Sequence, residues 1–253
     1  REYGLKHHSW SFDWPENKAY SFVCNQSDHL LAVSHASASI LRPYTKKDVN
    51  VIRNIVPLKE KITPTPLSEK NWHPLHCVIL GHMNPSKNQI LAIQAVADLI
   101  TNDNLSIKLT LVGGSDDRYQ NELKALITEK NLDDNVTLIP FTKQPLEWLN
   151  KAHLLIVPSI YEASPRIIVE AMRLEKPVIV NDSGGAPELV KESNNGLIYH
   201  YISKDELKRA IHYAYDHPKK MISLGKNGHK WATKHLKKED YFKQLISIIK
   251  QTH

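Results

Sequence analysis

The chain has 253 residues and a formal net charge of +6, and residues 201–253 alone carry 12 basic against 5 acidic side chains. This length can bury a substantial core. Two unspaced cysteines, Cys24 and Cys77, exclude a disulfide framework and favour a reducing, cytoplasmic compartment. The sequence contains no run of 18 apolar residues, so it offers no membrane-spanning segment.

Apolar, β-branched runs alternate with helix-like stretches along most of the chain, which is the pattern of a parallel sheet with crossover helices. The predicted strands are residues 77–80, 107–112, 136–139, 154–157, 178–180 and 197–199. The predicted helices are 88–100, 119–130, 147–151, 166–174 and 187–191, followed by three helices in the basic C-terminal region at 204–215, 219–235 and 239–250. The predicted fold is α/β, a Rossmann-like parallel sheet with flanking helices.

Glycines and other loop residues follow these strands directly. In open α/β sheets, ligands bind at the carboxyl ends of the strands. The residues that would meet at that edge are Gly81, Gly113, Gly114, Pro140, Glu162, Gly184 and Gly185. Their clustering predicts a ligand site there.

Two glutamates, Glu162 and Glu170, stand on either side of a predicted helix start. Ser164 is the predicted N-cap and Pro165 the predicted first helical residue, so the free amides before Arg166 would form an anion site. Carboxylates beside a phosphate site suit hydrogen bonds from sugar hydroxyls. The alternative is that both glutamates only complement the helix dipole.

Residues 81–88, 111–114 and 182–188 form three segments that resemble motifs of the retaining GT-B glycosyltransferases of family four. Residues 81–88, Gly-His-Met-Asn-Pro-Ser-Lys-Asn, are similar to a segment in which an arginine and a lysine hold the donor diphosphate. Lys87 matches the lysine, whereas His82 stands where arginine is usual. Residues 111–114 resemble the glycine loop beside the nucleotide, and residues 182–188 resemble the next glycine loop.

Residues 157–170 resemble the most specific motif of that family. There the first glutamate lies against the transferred sugar and the second holds the ribose, which implies a catalytic Glu162 and a donor-binding Glu170. The resemblance also implies donor contacts for Gly81, His82, Lys87, Gly113, Gly114, Pro140, Ser164, Pro165, Arg166, Gly184 and Gly185. His8 is a second catalytic candidate, from a turn that would face the sugar from the acceptor side; the alternative is a solvated histidine.

The resemblance covers roughly residues 28–249 and implies the C-terminal, donor-binding half of such an enzyme. Residues 1–58 would be a remnant of the acceptor-side domain with the crossover, and residues 59–75 a linker. Residues 76–235 would form the nucleotide-sugar-binding domain, and residues 236–253 a C-terminal helix. A fragment of this kind would bind the donor and be inactive alone.

The implied reaction transfers a sugar from a nucleotide diphosphate donor to a glycan or lipid-linked acceptor, with retention at the anomeric carbon. A front-face route would use the leaving phosphate as base, and double displacement would make Glu162 a nucleophile. No cofactor or metal is required, because Lys87 and helix N-termini at Ser164 and Gly185 can neutralise the diphosphate. The histidines near Cys77 do not change this. A strand at Cys77 would point neighbouring side chains to opposite faces of the sheet, so they could not surround one zinc ion.

Two other functions remain open: a different GT-B enzyme, such as a nucleotide-sugar epimerase, and a non-catalytic nucleotide-sugar-binding or partner-binding module. The basic region 201–253 fits either a solvated helix face or peripheral contact with an anionic membrane at its cytoplasmic side. Nucleic acid is not expected as a partner, because the region lacks aromatic residues interleaved for base stacking.

Overall fold

The computed structural model describes residues 15–56, 62–200 and 203–250. They fall into two compact units, with boundaries between Asn54 and Ile55 and between Lys237 and Lys238. The small unit contains the described residues before and after these boundaries, and the large unit contains those between them. His8 lies outside the described residues.

The small unit is built around two short parallel strands, which pair Leu30 with Val49. The Ser34 hydroxyl accepts the backbone N–H of Ser37 at 3.0 Å and so caps the helix after the first strand. The elements are α1 (Glu16–Gln26), β1 (Leu30–Ala32), α2 (His35–Leu41), β2 (Val49–Val51) and α10 (Lys238–Ile249).

The large unit is a six-stranded parallel sheet with the strand order β5-β4-β3-β6-β7-β8. Its strands are β3 (Leu75–Leu80), β4 (Ile107–Val112), β5 (Val136–Ile139), β6 (Leu154–Val157), β7 (Val178–Asn181) and β8 (Gly196–Tyr199). Its helices are α3 (Gln89–Thr101), α4 (Asp117–Glu129), α5 (Pro145–Lys151), α6 (Arg166–Arg173), α7 (Ala186–Ser193), α8 (Lys204–Asp216) and α9 (Pro218–His235).

Hydrophobic clusters cover both faces of this sheet. One cluster includes buried side chains of α3, α4 and α8, and the other includes those of α5, α6 and α7. All residues of β6 and β7 are buried, which explains why residues 154–157 and 178–180 are continuous apolar runs rather than alternating ones. The predicted α/β fold with a parallel sheet and flanking helices is confirmed.

The end of the predicted linker 59–75 belongs to the folded core. β3 begins at Leu75, and Trp72 is wholly buried in the hydrophobic cluster under α8. The Trp72 indole N–H donates to the carbonyl of Ala214 at 3.0 Å, so this large side chain is both packed and hydrogen-bonded. Trp72 and Leu75 are therefore core residues, whereas His73 and Pro74 between them are exposed.

Because all six strands are parallel, they end at one edge of the sheet, here named the carboxyl edge, and begin at the opposite one, here named the amino edge. Each predicted strand is observed, with ends that differ by no more than two residues from the prediction. The loops that follow the strands therefore meet at the carboxyl edge.

Candidate functional site

An ion pair joins the loops after β3 and β6 at the carboxyl edge. The ammonium of Lys87 contacts Oε1 of Glu162, 75 residues further along the chain, and the hydroxyl of Ser159 donates to the same oxygen at 2.9 Å. The side chains of Lys87 and Glu162 are 30% and 20% exposed, so the pair is only partly open to water. Lys87 and Glu162, which the sequence placed at the same ligand edge, are thus in direct contact.

The turn that carries Lys87 is fixed locally. Residues Pro85–Lys87 form a single 3-10 turn, and the side chain of Asn84 accepts the backbone N–H of Lys87 at 3.2 Å. The following residue, Asn88, has a φ of 54°, a left-handed conformation that asparagine tolerates, and α3 starts directly after it. These constraints hold Lys87 between β3 and α3.

A cavity of about 170 Å³ lies beside the ion pair. The ends of β3 and β6 supply its apolar wall. Its polar and charged lining comes from Lys87, Ser159, Glu162 and Arg166, and Pro165 lies among the lining residues. A site of this kind can accept a ligand that carries both an anionic and a less polar part.

The glycine loop after β4 packs on the loop after β3. Gly113 has a φ of +155°, and a Cβ at that position would lie 2.0 Å from the carbonyl oxygen of Gly81. The amide of Met83 donates to the carbonyl of Gly114 at 2.7 Å. Only glycine at position 113 permits the two loop backbones to pack this closely. The loop backbone beside the site therefore has no side chain over it at this position.

The loop after β7 packs on the backbone of Glu162. Gly184 has a φ of +67°, and a Cβ there would lie 2.4 Å from the Glu162 carbonyl oxygen. The amide of Gly185 donates to that same oxygen at 2.7 Å. The glycine pair thus fixes the position of the catalytic candidate rather than standing apart from it.

The start of α6 differs from the prediction. Pro165, with a φ of −69° and a ψ of 108°, is the residue before the helix and not its first residue, and Ser164 lies one position too early to cap it. Among the described residues, no side chain caps this helix. Its first amides are therefore left to solvent or to a ligand, which suits an anion better than a capped helix would.

Glu170 lies one turn into α6 and is half-buried. Burial raises the pKa of its carboxyl, and the nearby charges of Arg166 and Arg173 oppose that rise only in part. Glu170 is not among the residues that line the cavity. Glu170 follows the buried Ile168 and Val169 and lies four residues after the exposed Arg166.

His82 and Pro140 lie at the carboxyl edge but outside the cavity lining. Both residues are exposed, and the His82 ring lies beside Gly114, where an added Cβ would be 3.6 Å from Nδ1. His82 therefore borders the glycine loop, next to the site rather than at the ion pair.

Two polar residues of the site were given no role from the sequence. Ser159 donates to Glu162, and the buried side chain of Asn181 donates to the Ser159 carbonyl at 2.5 Å. The signal for Asn181 was a single amide at the end of an otherwise apolar strand, Val-Ile-Val-Asn.

Metal-binding clusters and membrane-spanning helices are both absent from the described residues. In that part of the chain, no group of three or more histidine, cysteine, aspartate or glutamate side chains has an arrangement that could hold a metal ion. Likewise, none of the described helices combines the length and apolar character needed to cross a bilayer.

The fold is that of the GT-B glycosyltransferases, and comparison with known proteins gives the family. A family model described as "Glycosyl transferases group 1" matches residues 68–231. The chain belongs to this family, which confirms the resemblance seen in the motifs.

Among curated relatives, the N-acetylgalactosamine-N,N'-diacetylbacillosaminyl-diphospho-undecaprenol 4-alpha-N-acetylgalactosaminyltransferase of Campylobacter jejuni is 30% identical over 120 residues. The match covers 47% of this chain and 31% of the relative. The chain thus matches about a third of the length of that protein.

Two solved structures show the same fold over nearly the whole chain. Sucrose-phosphate synthase from Thermosynechococcus elongatus has a TM-score of 0.78 and 22% identity, and the match covers 94% of this chain and 61% of that one. Anabaena Alr3699/HepE in complex with UDP has a TM-score of 0.79 and 21% identity, with 95% and 68% covered.

Proposed function

We propose that the chain is the donor-binding part of a retaining glycosyltransferase that transfers a sugar from a nucleotide diphosphate to a glycan or lipid-linked acceptor. The observation that carries this proposal is the contact between Lys87 and Glu162 beside a cavity at the carboxyl edge. It sets a cation for the diphosphate next to a carboxylate for the sugar. The uncapped start of α6 adds backbone donors for the same anion.

Lys87 and the first amides of α6 would hold the diphosphate. The reaction leaves negative charge on that group, and positioned cations and amides stabilise such charge most in a site with little water. Lys87 already opposes the charge of Glu162, so an incoming diphosphate shares the ammonium with the carboxylate. In this proposal the protein neutralises the leaving group without a metal.

Glu162 would stabilise the positive charge that develops on the sugar ring. In a front-face transfer, the bond from the anomeric carbon to the phosphate oxygen breaks and its electron pair stays on phosphate. The acceptor oxygen bonds to the same face of that carbon, and its proton passes to the phosphate oxygen. Double displacement, with Glu162 as a covalent nucleophile, is the second route to retention.

The Glu170 carboxylate would accept hydrogen bonds from the ribose hydroxyls of the donor. A half-buried carboxylate, whose contact with water is reduced, gains from hydroxyl donors. Gly113 and Gly114 would let the nucleotide approach the backbone closely, and Pro140 and His82 would border the same end of the site. This leaves the sugar at the Glu162 end.

Two relatives support the choice of substrates. The name of the Campylobacter enzyme specifies a diphospho-undecaprenol-linked acceptor and an N-acetylgalactosaminyl donor group. Anabaena HepE was crystallised with UDP. By analogy we propose a uridine diphosphate sugar as donor and a lipid-linked or glycan acceptor for the whole protein.

We also propose that the basic C-terminal region contacts an anionic membrane surface on its cytoplasmic side. Lys226, Lys230 and Lys234 are exposed and recur every four residues on α9, and residues 218–235 contain no aspartate or glutamate. Such a stripe attracts anionic lipid by roughly 1 kcal/mol per lysine near the surface. Flotation with phosphatidylglycerol vesicles should recover the chain, and phosphatidylcholine vesicles should not. Equal recovery with both would leave the stripe as a solvated face.

The direct test of the donor site is calorimetric titration of the chain with UDP, UDP-glucose, UDP-N-acetylgalactosamine and GDP-mannose. We expect at least one nucleotide to bind, and no sugar transfer by the chain alone. The matched variant Glu162→Gln should keep or improve UDP affinity, because it removes a negative charge beside the diphosphate, and it should lose affinity for the sugar part.

Three other results would contradict the proposal. Absence of any nucleotide binding would favour a non-catalytic partner-binding module. Conversion of the donor sugar into its epimer, followed by NMR, would favour an epimerase. Inversion of the anomeric configuration in the product of the full-length protein would rule out the retaining mechanism.

A further inference from the structure

Asn181 is a buried asparagine at the carboxyl end of β7 whose side chain joins two loops. Its amide NH₂ donates to the carbonyl of Ser159 at 2.5 Å, and its Oδ1 accepts the backbone N–H of Ser183 at 3.2 Å. Its exposed fraction is 3%, so water does not compete for either bond. One side chain thus connects the Glu162 loop to the glycine loop after β7.

Further contacts between the same two loops make the connection stiff. The hydroxyl of Ser183 donates to the carbonyl of Ile160 at 2.8 Å, and the amide of Gly185 donates to the carbonyl of Glu162 at 2.7 Å. Gly184 lets the backbones approach closely enough for these bonds. The Glu162 loop is therefore held from one side by the end of β7.

The position of the Glu162 carboxylate depends on this connection through Ser159. The Ser159 carbonyl is fixed by Asn181, and the hydroxyl of the same residue donates to Glu162 Oε1. Two hydrogen bonds, joined through the covalent frame of Ser159, thus connect the strand end to the carboxylate. A second, independent contact to that oxygen comes from Lys87.

We propose that Asn181 is a positioning residue for the transferred sugar: it fixes Ser159 and thereby aims the Glu162 carboxylate at the sugar part of the donor. This inference rests on the proposed function. Asparagine suits the role because one planar amide donates and accepts at once. Aspartate has the same shape but would set an acceptor against the Ser159 carbonyl, and alanine would leave both partners unsatisfied in the interior.

The role predicts a selective effect on binding. Lys87 and the amides of α6 hold the diphosphate in our proposal, and none of their described contacts involves Asn181. Loss of the amide should therefore weaken the contribution of the sugar to binding and spare that of UDP. A residue that only supports the fold would instead lower both affinities together.

The experiment measures the ratio of the UDP dissociation constant to the UDP-sugar dissociation constant for the full chain. The UDP-sugar in this ratio is either UDP-glucose or UDP-N-acetylgalactosamine, whichever binds wild type more tightly. Asn181→Ala and Asn181→Asp should lower the ratio by about fivefold or more, with UDP affinity within about twofold of wild type.

The matched control is Asn195→Ala. Asn195 is also fully buried and hydrogen-bonded, to the Ser193 hydroxyl at 2.9 Å, but it precedes β8 at the amino edge. It should lower thermal stability without changing the ratio. Ser159→Ala removes only the final hydroxyl of the series and should lower the ratio like Asn181→Ala, so it decides the question where the Asn181 variants fold poorly.

The outcomes separate the two proposals. Wild type that binds UDP-sugar, together with an unchanged ratio in Asn181→Asp and Ser159→Ala, would overturn the role of Asn181 and leave the donor site in place. Equal losses of UDP and UDP-sugar affinity in these variants would also overturn it, since that marks a purely structural residue. Wild type that binds neither ligand would overturn the proposed function and the role of Asn181 with it.

Discussion

Lysine side chains have opposite environments at the two edges of the six-stranded sheet. At the carboxyl edge, Lys87 is partly exposed, faces a cavity and contacts Glu162. At the amino edge, Lys176 is wholly buried, and its ammonium donates to the carbonyl of Thr65 at 3.1 Å. A cation beside a carboxylate and a cavity is ready for a ligand anion, whereas a cation enclosed by the core only weakens the fold.

Two histidines at the amino edge are also enclosed by the core. Nδ1 of His153 accepts the backbone N–H of His76 at 3.0 Å, and the His153 ring stacks on Trp72 with centroids 5.0 Å apart. Burial lowers the pKa of both histidines, that of His153 to about 4. These rings are neutral packing elements at physiological pH. The basic groups of this edge are therefore structural, in contrast to those at the carboxyl edge.

The largest effect should come from Lys87→Met. It removes the cation proposed to hold the diphosphate and leaves Glu162 to repel it, so UDP affinity should fall by roughly thirtyfold or more in calorimetric titration. The matched control is Lys176→Met, an identical change at the other edge, which should leave UDP affinity unchanged. Equal UDP affinities in wild type and Lys87→Met would remove the functional distinction between the edges.

Lys176→Met should raise stability at neutral pH. Burial lowers the pKa of Lys176 from its ordinary 10.5 to about 8, so the folded state disfavours the charged form, and stability is gained as pH rises from about 8 to 10.5. Methionine removes this cost, worth about 1 to 3 kcal/mol below pH 8. Thermal melts at pH 7 and pH 10 should show the gain shrinking at the higher pH. A destabilised variant at pH 7 would mean that the ammonium is well solvated.

Glu170→Gln, at the carboxyl edge, should raise thermal stability and lower UDP affinity. Burial raises the pKa of Glu170, so its contribution to stability is greatest at low pH and is lost as pH rises through that pKa. The variant should therefore melt higher than wild type at pH 7, and the gain should shrink towards pH 4. Its UDP affinity should fall by about tenfold, because the ribose loses charge-assisted hydrogen bonds.

The control for Glu170 uses the ligand rather than the protein. A 2′,3′-dideoxyribose analogue of UDP lacks the two hydroxyls and should bind wild type and Glu170→Gln alike. If the variant keeps full UDP affinity, Glu170 serves only the helix, and the carboxyl edge is less specialised than we propose.

The smallest effect should come from His82→Arg. An arginine beside Gly114 adds a permanent charge near the diphosphate without replacing Lys87, so UDP affinity should rise by about twofold to fivefold, most clearly at low salt. Calorimetry at two salt concentrations measures this. An unchanged affinity would show that position 82 points away from the nucleotide.

The sequence predicts the sheet well because a buried parallel strand has a continuous apolar sequence. Residues 154–157 and 178–180 are such runs, and both are strands. The ligand edge follows directly, since the carboxyl ends of parallel strands share one edge. The family motifs imply that Lys87 and Glu162 share one ligand site, but the direct contact between these residues, 75 positions apart, is seen only in the structure.

Other features could not be predicted because they depend on tertiary packing. Lys176 follows a left-handed Glu175 in what reads as a polar turn, and only the surrounding elements bury it. Ser164 has the right chemistry for an N-cap, but the helix starts one residue later because Pro165 is extended. The role of Asn181 requires knowledge of which carbonyl lies opposite its amide.

Hydrogen–deuterium exchange of the full chain, with and without saturating UDP, tests the central claim most directly. We expect added protection in the loops at residues 81–88 and 111–114 and in residues 162–170, with no change at the amino edge around residues 72–76 and 151–153. Protection at the amino edge alone, or no UDP-dependent protection at any concentration, would contradict a donor site at the carboxyl edge.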